Sequence, residues 1–154
     1  MRLTSYSDYS LRVLIYLASH DQSKLSNIKE ISEVYQLSKN HLMKIVHNLG
    51  KLGYIETIRG RNGGFRLAKS PAAINVGEIV RKTEEDFYLV ECFKDHDNCI
   101  ISPACSLKFV LNDALDAFLK VLDQYTIEDF IENKVMLKAY FNSVKQHDEG
   151  TDSL

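Results

Sequence analysis

Between residues 26 and 67 the chain sets two short capped helices directly ahead of a glycine-rich turn, and few folds accept that order. Ser26-Asn27 with Glu30 three residues on is a capping signal, and Ile28, Ile31 and Val34 form the inner stripe of a short helix. Gln36-Leu37 makes a tight corner. Ser38 then stands at the cap of a second helix with the stripe Leu42, Ile45, Leu49 and Leu52, closed by Gly53. Two helices joined at such a corner form a helix-turn-helix, whose second helix presents its first residues to base edges in the major groove. Those residues are Ser38, Lys39, Asn40 and His41, with Lys44 one turn further on. Periodicity alone fits a small helical bundle with a solvated basic face equally well.

The next segment separates the two. Tyr54–Ile58 and Phe65–Leu67 read as strands around Arg59-Gly60-Arg61-Asn62-Gly63-Gly64. Asn62-Gly63 predicts a hairpin turn with positive φ at both central positions. A glycine-rich tip approaches a duplex closely, and Arg59, Arg61 and Asn62, with Gly63 behind them, suit phosphates or a narrow groove. A nucleotide-phosphate loop fits poorly, since Gly-x-x-x-x-Gly-Lys-Ser/Thr is absent and no βαβ unit surrounds the segment. Helix-turn-helix followed by a basic hairpin predicts a winged helix, a mainly α fold with one small β-hairpin.

Charge supports this division. Residues 1–70 carry 11 Lys and Arg against 5 Asp and Glu, a net of +6, whereas residues 71–154 carry 8 against 16, a net of −8. A basic N-terminal half is drawn to phosphates despite an overall charge of −2. Ahead of the helix-turn-helix, Leu11, Leu14, Ile15 and Ala18 recur at helical spacing from Asp8, which opens that helix, and Arg12 lies off the apolar stripe, toward solvent or a phosphate. After Ser70-Pro71, Asn75 and Glu78 cap a helix to Thr83, with Val76, Ile79 and Val80 inward. From Leu107 a stripe of Val110, Leu111, Ala114, Leu115, Phe118, Val121 and Leu122 is wider than the N-terminal domain can cover, which predicts a two-fold dimer. Thr126 and Asp129 predict a further helix holding Ile127, Phe130 and Ile131 and running on toward Phe141. The expected organisation is a DNA-binding domain at 1–83, a cysteine loop at 84–106, dimerisation helices at 107–146 and a disordered tail at 147–154. With no membrane span and no targeting segment, the expected location is cytoplasmic.

All three cysteines, Cys92, Cys99 and Cys105, fall within that loop, with six and then five residues between them. An odd number argues against a disulfide framework. Three thiols in one polar loop suit a metal centre. Zinc is open as a Cys₃His site through His96, and an iron–sulfur cluster with a non-thiolate fourth ligand is open as well. Three ordinary buried cysteines remain the plain alternative. A thiol enzyme is disfavoured by the lack of Cys-x-x-Cys and of an evident base.

These parts together resemble the iron–sulfur winged-helix transcriptional regulators. The resemblance covers about residues 1–132, and it is carried by Leu3-Thr4, Asp8-Tyr9, Leu11-Arg12, Arg59–Phe65, Glu91-Cys92-Phe93, Cys99 and Cys105. It implies a homodimeric repressor of double-stranded operator DNA. Members with a 2Fe–2S cluster have a histidine three residues beyond the last cysteine, where this chain has Lys108. The nitric-oxide-sensitive members hold a 4Fe–4S cluster with an aspartate at the start of the first helix, given by the other protomer, and Asp8 matches that position. The resemblance therefore implies a 4Fe–4S cluster on Cys92, Cys99, Cys105 and Asp8 of the partner subunit, with nitric oxide as effector; 2Fe–2S and zinc are the alternatives.

Overall fold

The computed structural model describes residues 2–94 and 98–148. Six helices and one hairpin follow in the order α1 (Ser5–Ser19), α2 (Ile28–Tyr35), α3 (Lys39–Lys51), β1 (Ile55–Ile58), β2 (Gly64–Leu67), α4 (Val76–Thr83), α5 (Leu107–Leu122) and α6 (Lys134–Asp148).

α1 begins three residues before the expected Asp8. Thr4 is its cap and accepts from the Ser7 N–H, while the Ser7 hydroxyl is buried against Thr83 Oγ1 at 2.8 Å. Ser7 is therefore a buried tie from α1 to α4. The inner face of α1 is Val13, Leu14, Tyr16, Leu17 and Ala18, with Leu11 and Ile15 half-buried. Asn27 and Glu30 close a full capping box on α2, and Gln36 ends it at φ 52°. Ser38 occupies the cap position of α3, but its side chain makes no capping bond.

The hairpin is antiparallel, with Ile55 opposite Leu67 and Ile58 opposite Gly64. Ser26 bridges to β2 as well, exchanging two 2.9 Å backbone bonds with Phe65. The turn differs from the expected Asn62-Gly63 type. Five residues separate the strands, too many for a two-residue primed turn. Instead Gly63 N–H donates to Gly60 C=O at 3.0 Å, Arg61 and Asn62 occupy the centre, and positive φ falls on Gly60 at 125°. Gly63 is required for space: a Cβ there would meet the Ile58 carbonyl.

One core unites Leu14, Ile31, Leu42, Ile45, Leu49, Tyr54, Phe65, Ile74 and Ile79. Ile127, Ile131 and Phe141, from well beyond residue 83, belong to the same core. The expected single helix from Thr126 to Phe141 is two pieces. Asp129 accepts from the Thr126 N–H and hydroxyl and closes a 3₁₀ turn at Ile127–Phe130, which leaves Phe130 46% exposed, and α6 starts afresh at Lys134. α6 returns to α2 and α1, where the Phe141 ring lies 5.2 Å from Tyr16 and 5.8 Å from Tyr35. It runs through His147 and Asp148, two residues into the expected tail; the rest of the tail lies outside the described residues.

α5 leans on α4 through a second small cluster, Val80, Leu115 and Leu119, flanked by Leu3, Leu11, Phe87, Leu89 and Phe93. Arg81 pairs with Asp123 through both nitrogens and both oxygens, which holds the guanidinium above and the carboxyl below their usual pKa ranges. Another face of α5 is bare, with Leu107, Phe109, Val110 and Val121 each more than half exposed.

Candidate nucleic-acid interface and cysteine loop

The inner stripe of α3, Leu42, Ile45, Val46 and Leu49, is fully committed to the core. That commitment turns Asn40, Met43, Lys44 and His47 outward at i, i+3, i+4 and i+7, where they line a shallow apolar hollow. Ser38, Lys39, Asn40 and Lys44 are exposed, as the sequence pattern expects of residues that meet a duplex. His41 is drawn back: half-buried, its ring meets the Tyr9 ring edge-on at 5.4 Å. Met43 and His47 share the outward face and are missing from the set drawn from the sequence, although helical spacing from Asn40 points to both. α3 carries no acidic residue.

On the wing, Arg66 pairs across the strands with Glu56 at 3.1 Å. Arg59, Arg61 and Asn62 are exposed at the tip, and neither arginine has an ion pair among the described residues. The wing thus neutralises its inner arginine and leaves its outer two available to a polyanion.

Arg12 is not a free cation. It grips Asp8 through Nε–Oδ1 at 2.9 Å and Nη2–Oδ2 at 2.7 Å, and that bond raises its pKa. Its guanidinium carbon lies 5.6 Å from the Tyr9 ring centre and 5.9 Å from that of Tyr35, and the Tyr35 hydroxyl donates to the Arg12 carbonyl. Both members of the pair stay over two-fifths exposed, so separating them costs about 0.5 kcal/mol.

The cysteine loop leaves α4 at Glu84, whose carboxylate accepts from the Thr4 N–H at 2.8 Å and hydroxyl at 3.0 Å. Its base is therefore bonded to the start of α1. Cys92 lies half-buried in a one-turn 3₁₀ segment, Glu91–Phe93, and Phe93 packs on the α4–α5 cluster, as Leu11 does. Cys99 is exposed, and Cys105 is half-buried after a second 3₁₀ turn, Ser102–Ala104. No disulfide links them. His96 lies outside the described residues. Among those described, no three His, Cys, Asp or Glu side chains converge closely enough to hold a metal ion. The donor chemistry nonetheless fits a thiolate-bound cluster: three thiols on one loop, all outside the main core.

Residues 3–133 match the model of the Rrf2 family, described as an iron-dependent transcriptional regulator. The chain belongs to the Rrf2 family. It is 62% identical over 135 residues to the HTH-type transcriptional regulator NsrR of Bacillus licheniformis, spanning 87% of this chain and 94% of that one. To the protein of the same name from Bacillus subtilis it is again 62% identical, over 87% and 92% of the two chains. Among solved structures, CymR, the global cysteine regulator of B. subtilis, superposes with a TM-score of 0.65 at 27% identity over 85% of this chain and 96% of its own. IscR of T. potens gives 0.68 at 26% identity, over 86% and 88%. This Rrf2 protein is accordingly a winged-helix, DNA-binding transcriptional regulator and not an enzyme. No helix among its described residues is long and apolar enough to cross a membrane.

Proposed function

We propose that this Rrf2 regulator is a homodimeric repressor that holds operator DNA through α3 and the wing and releases it in response to nitric oxide. Cys92, Cys99 and Cys105 of one protomer, with Asp8 of the partner subunit, would hold a 4Fe–4S cluster. When bound, that cluster supplies iron, for which nitric oxide is a strong ligand. The effector assignment rests on the resemblance of the motifs together with the 62% identity to proteins named NsrR. The observation that carries the reading is the attachment of the cysteine loop: its base is hydrogen-bonded to the start of α1 through Glu84, and Phe93, beside Cys92, packs on the same Val80–Leu115–Leu119 cluster as Leu11 of α1.

The chain's own residues give this attachment a consequence. The two oxygens of Asp8 are taken up by Arg12, so a carboxylate that turns to another ligand must release the guanidinium. Arg12 would then keep only the faces of Tyr9 and Tyr35 and become available to a phosphate. Tyr9 in turn meets His41 of α3, so the change reaches the reading helix through two aromatic contacts. The bare face of α5 supplies the dimer seam, and two copies would address half-sites about 10 bp apart or a multiple of that.

The test is anaerobic purification, followed by a visible spectrum, iron and sulfide analysis, and DNA binding before and after nitric oxide. A brown dimer whose absorption and specific binding are both lost with nitric oxide is the expected result. A colourless protein holding one zinc per chain, or an iron-free dimer that binds its target as tightly and selectively, overturns it.

A further inference from the structure

We infer that Met43 is a specificity-determining residue whose thioether and terminal methyl pack on the C5-methyl group of a thymine in the major groove. The inference rests on the reading of α3 as the base-facing helix and adds the chemistry of one base feature that it selects. Met43 is 51% exposed, and the inner stripe of α3 is Leu42, Ile45, Val46 and Leu49, so half of its surface is left over from the packing of the fold. It lines the hollow together with Asn40, Lys44 and His47, all of which carry polar groups, and is the one wholly apolar side chain among the four. A solitary exposed methionine is unremarkable on most surfaces. Here it sits at the middle of a face with two lysines, Lys39 and Lys44, near its start and no acid on the helix, which is complementary to a polyanion.

Asn40 to His47 spans about 10 Å at 1.5 Å per residue, close to three base pairs. Along that span the major groove offers hydrogen-bonding edges everywhere and one apolar group, the thymine methyl. Asn40 and Lys44 have the donors and acceptors for the edges, and only Met43 on this face has surface to offer the methyl. An unbranched side chain with a polarizable sulfur adapts to such a contact without strain. The occupant that fits is therefore a thymine methyl, not a further polar edge and not a protein surface.

The probe is a duplex enriched by the wild-type protein from a pool with a randomised 24-bp core, then resynthesised with deoxyuridine replacing thymine one position at a time. Deoxyuridine keeps base pairing and removes only the methyl. At one thymine per half-site the wild-type protein should bind about fourfold more weakly, the worth of one buried methylene-sized group, and about fifteenfold more weakly with both half-sites changed. Met43→Ala should bind the thymine duplex about fourfold more weakly per half-site and lose nothing further at that position, whereas Met43→Leu should keep the penalty. If deoxyuridine is harmless at every position, or if its penalty survives in Met43→Ala, the methyl contact is refuted. A pool that yields no enriched duplex refutes the operator reading itself, which is a separate and recognisable failure.

Discussion

The wing arginines offer a quantitative test because the structure sorts them by charge compensation. Arg66 is already neutralised by Glu56, whereas Arg61 extends from the turn with no ion pair among the described residues. Each phosphate neutralised by an uncompensated cation adds about 0.9 to the slope of log K against log salt. Arg61→Ala in both wings of a dimer should therefore flatten that slope by about 1.8. Between 50 and 200 mM salt, a fourfold change, the variant should lose about twelvefold less affinity than the parent. Arg66→Ala removes a cation whose charge was balanced and should move the slope by less than half as much. Fluorescence anisotropy on one duplex at five salt concentrations measures all three proteins. An unchanged slope in Arg61→Ala, or an equal flattening in Arg66→Ala, refutes the assignment of the wing tip to phosphate.

Two further outcomes follow from local geometry. Gly63→Ala places a Cβ against the backbone carbonyls of Ile58 and Gly60, so the turn must open; duplex affinity should drop, and urea unfolding should show a loss of stability of about 1–3 kcal/mol, the range of overpacking. Burial pushes the Tyr16 hydroxyl up to about 12 from its ordinary 10.0. The unfolded chain gives up that proton first as pH rises, so the folded state loses up to about 3 kcal/mol of stability between pH 10 and 12. Burial raises Tyr35 as well and adds in the same direction. Urea unfolding from pH 9 to 11.5 should show this decline, flattened in Tyr16→Phe; equal slopes in the two proteins would contradict it.

Features governed by a few neighbouring atoms were legible in the sequence. Asn27 with Glu30 and Asn75 with Glu78 cap their helices as their spacing implies, because both partners lie within one turn. The wing turn was harder, since its type depends on where the strands end, and β2 is held in place by Ser26, thirty-nine residues before Phe65. Apolar spacing ran unbroken from Ile127 to Phe141, and nothing in that period reveals that Asp129 closes a tight turn first. Asp8 and Arg12 stand at i and i+4, the spacing of a helical ion pair, and that pairing is legible in the sequence. Met43 is hard to read from the sequence because an apolar residue on a helix signals the buried face, and only the packing of Leu42, Ile45 and Leu49 shows that it lies outside that stripe.

The small α4–α5 cluster has a kinetic implication. Val80, Leu115 and Leu119 form a satellite apart from the main core, and the stem of the cysteine loop leans on it through Phe87, Leu89 and Phe93. Cooperative units with little apolar contact open at a fraction of the free energy of global unfolding. Amide hydrogens along residues 87–93 should thus exchange sooner than those of α3, which is anchored by Leu42, Ile45 and Leu49. The loop stem would open many times for each time the scaffold beneath it unfolds.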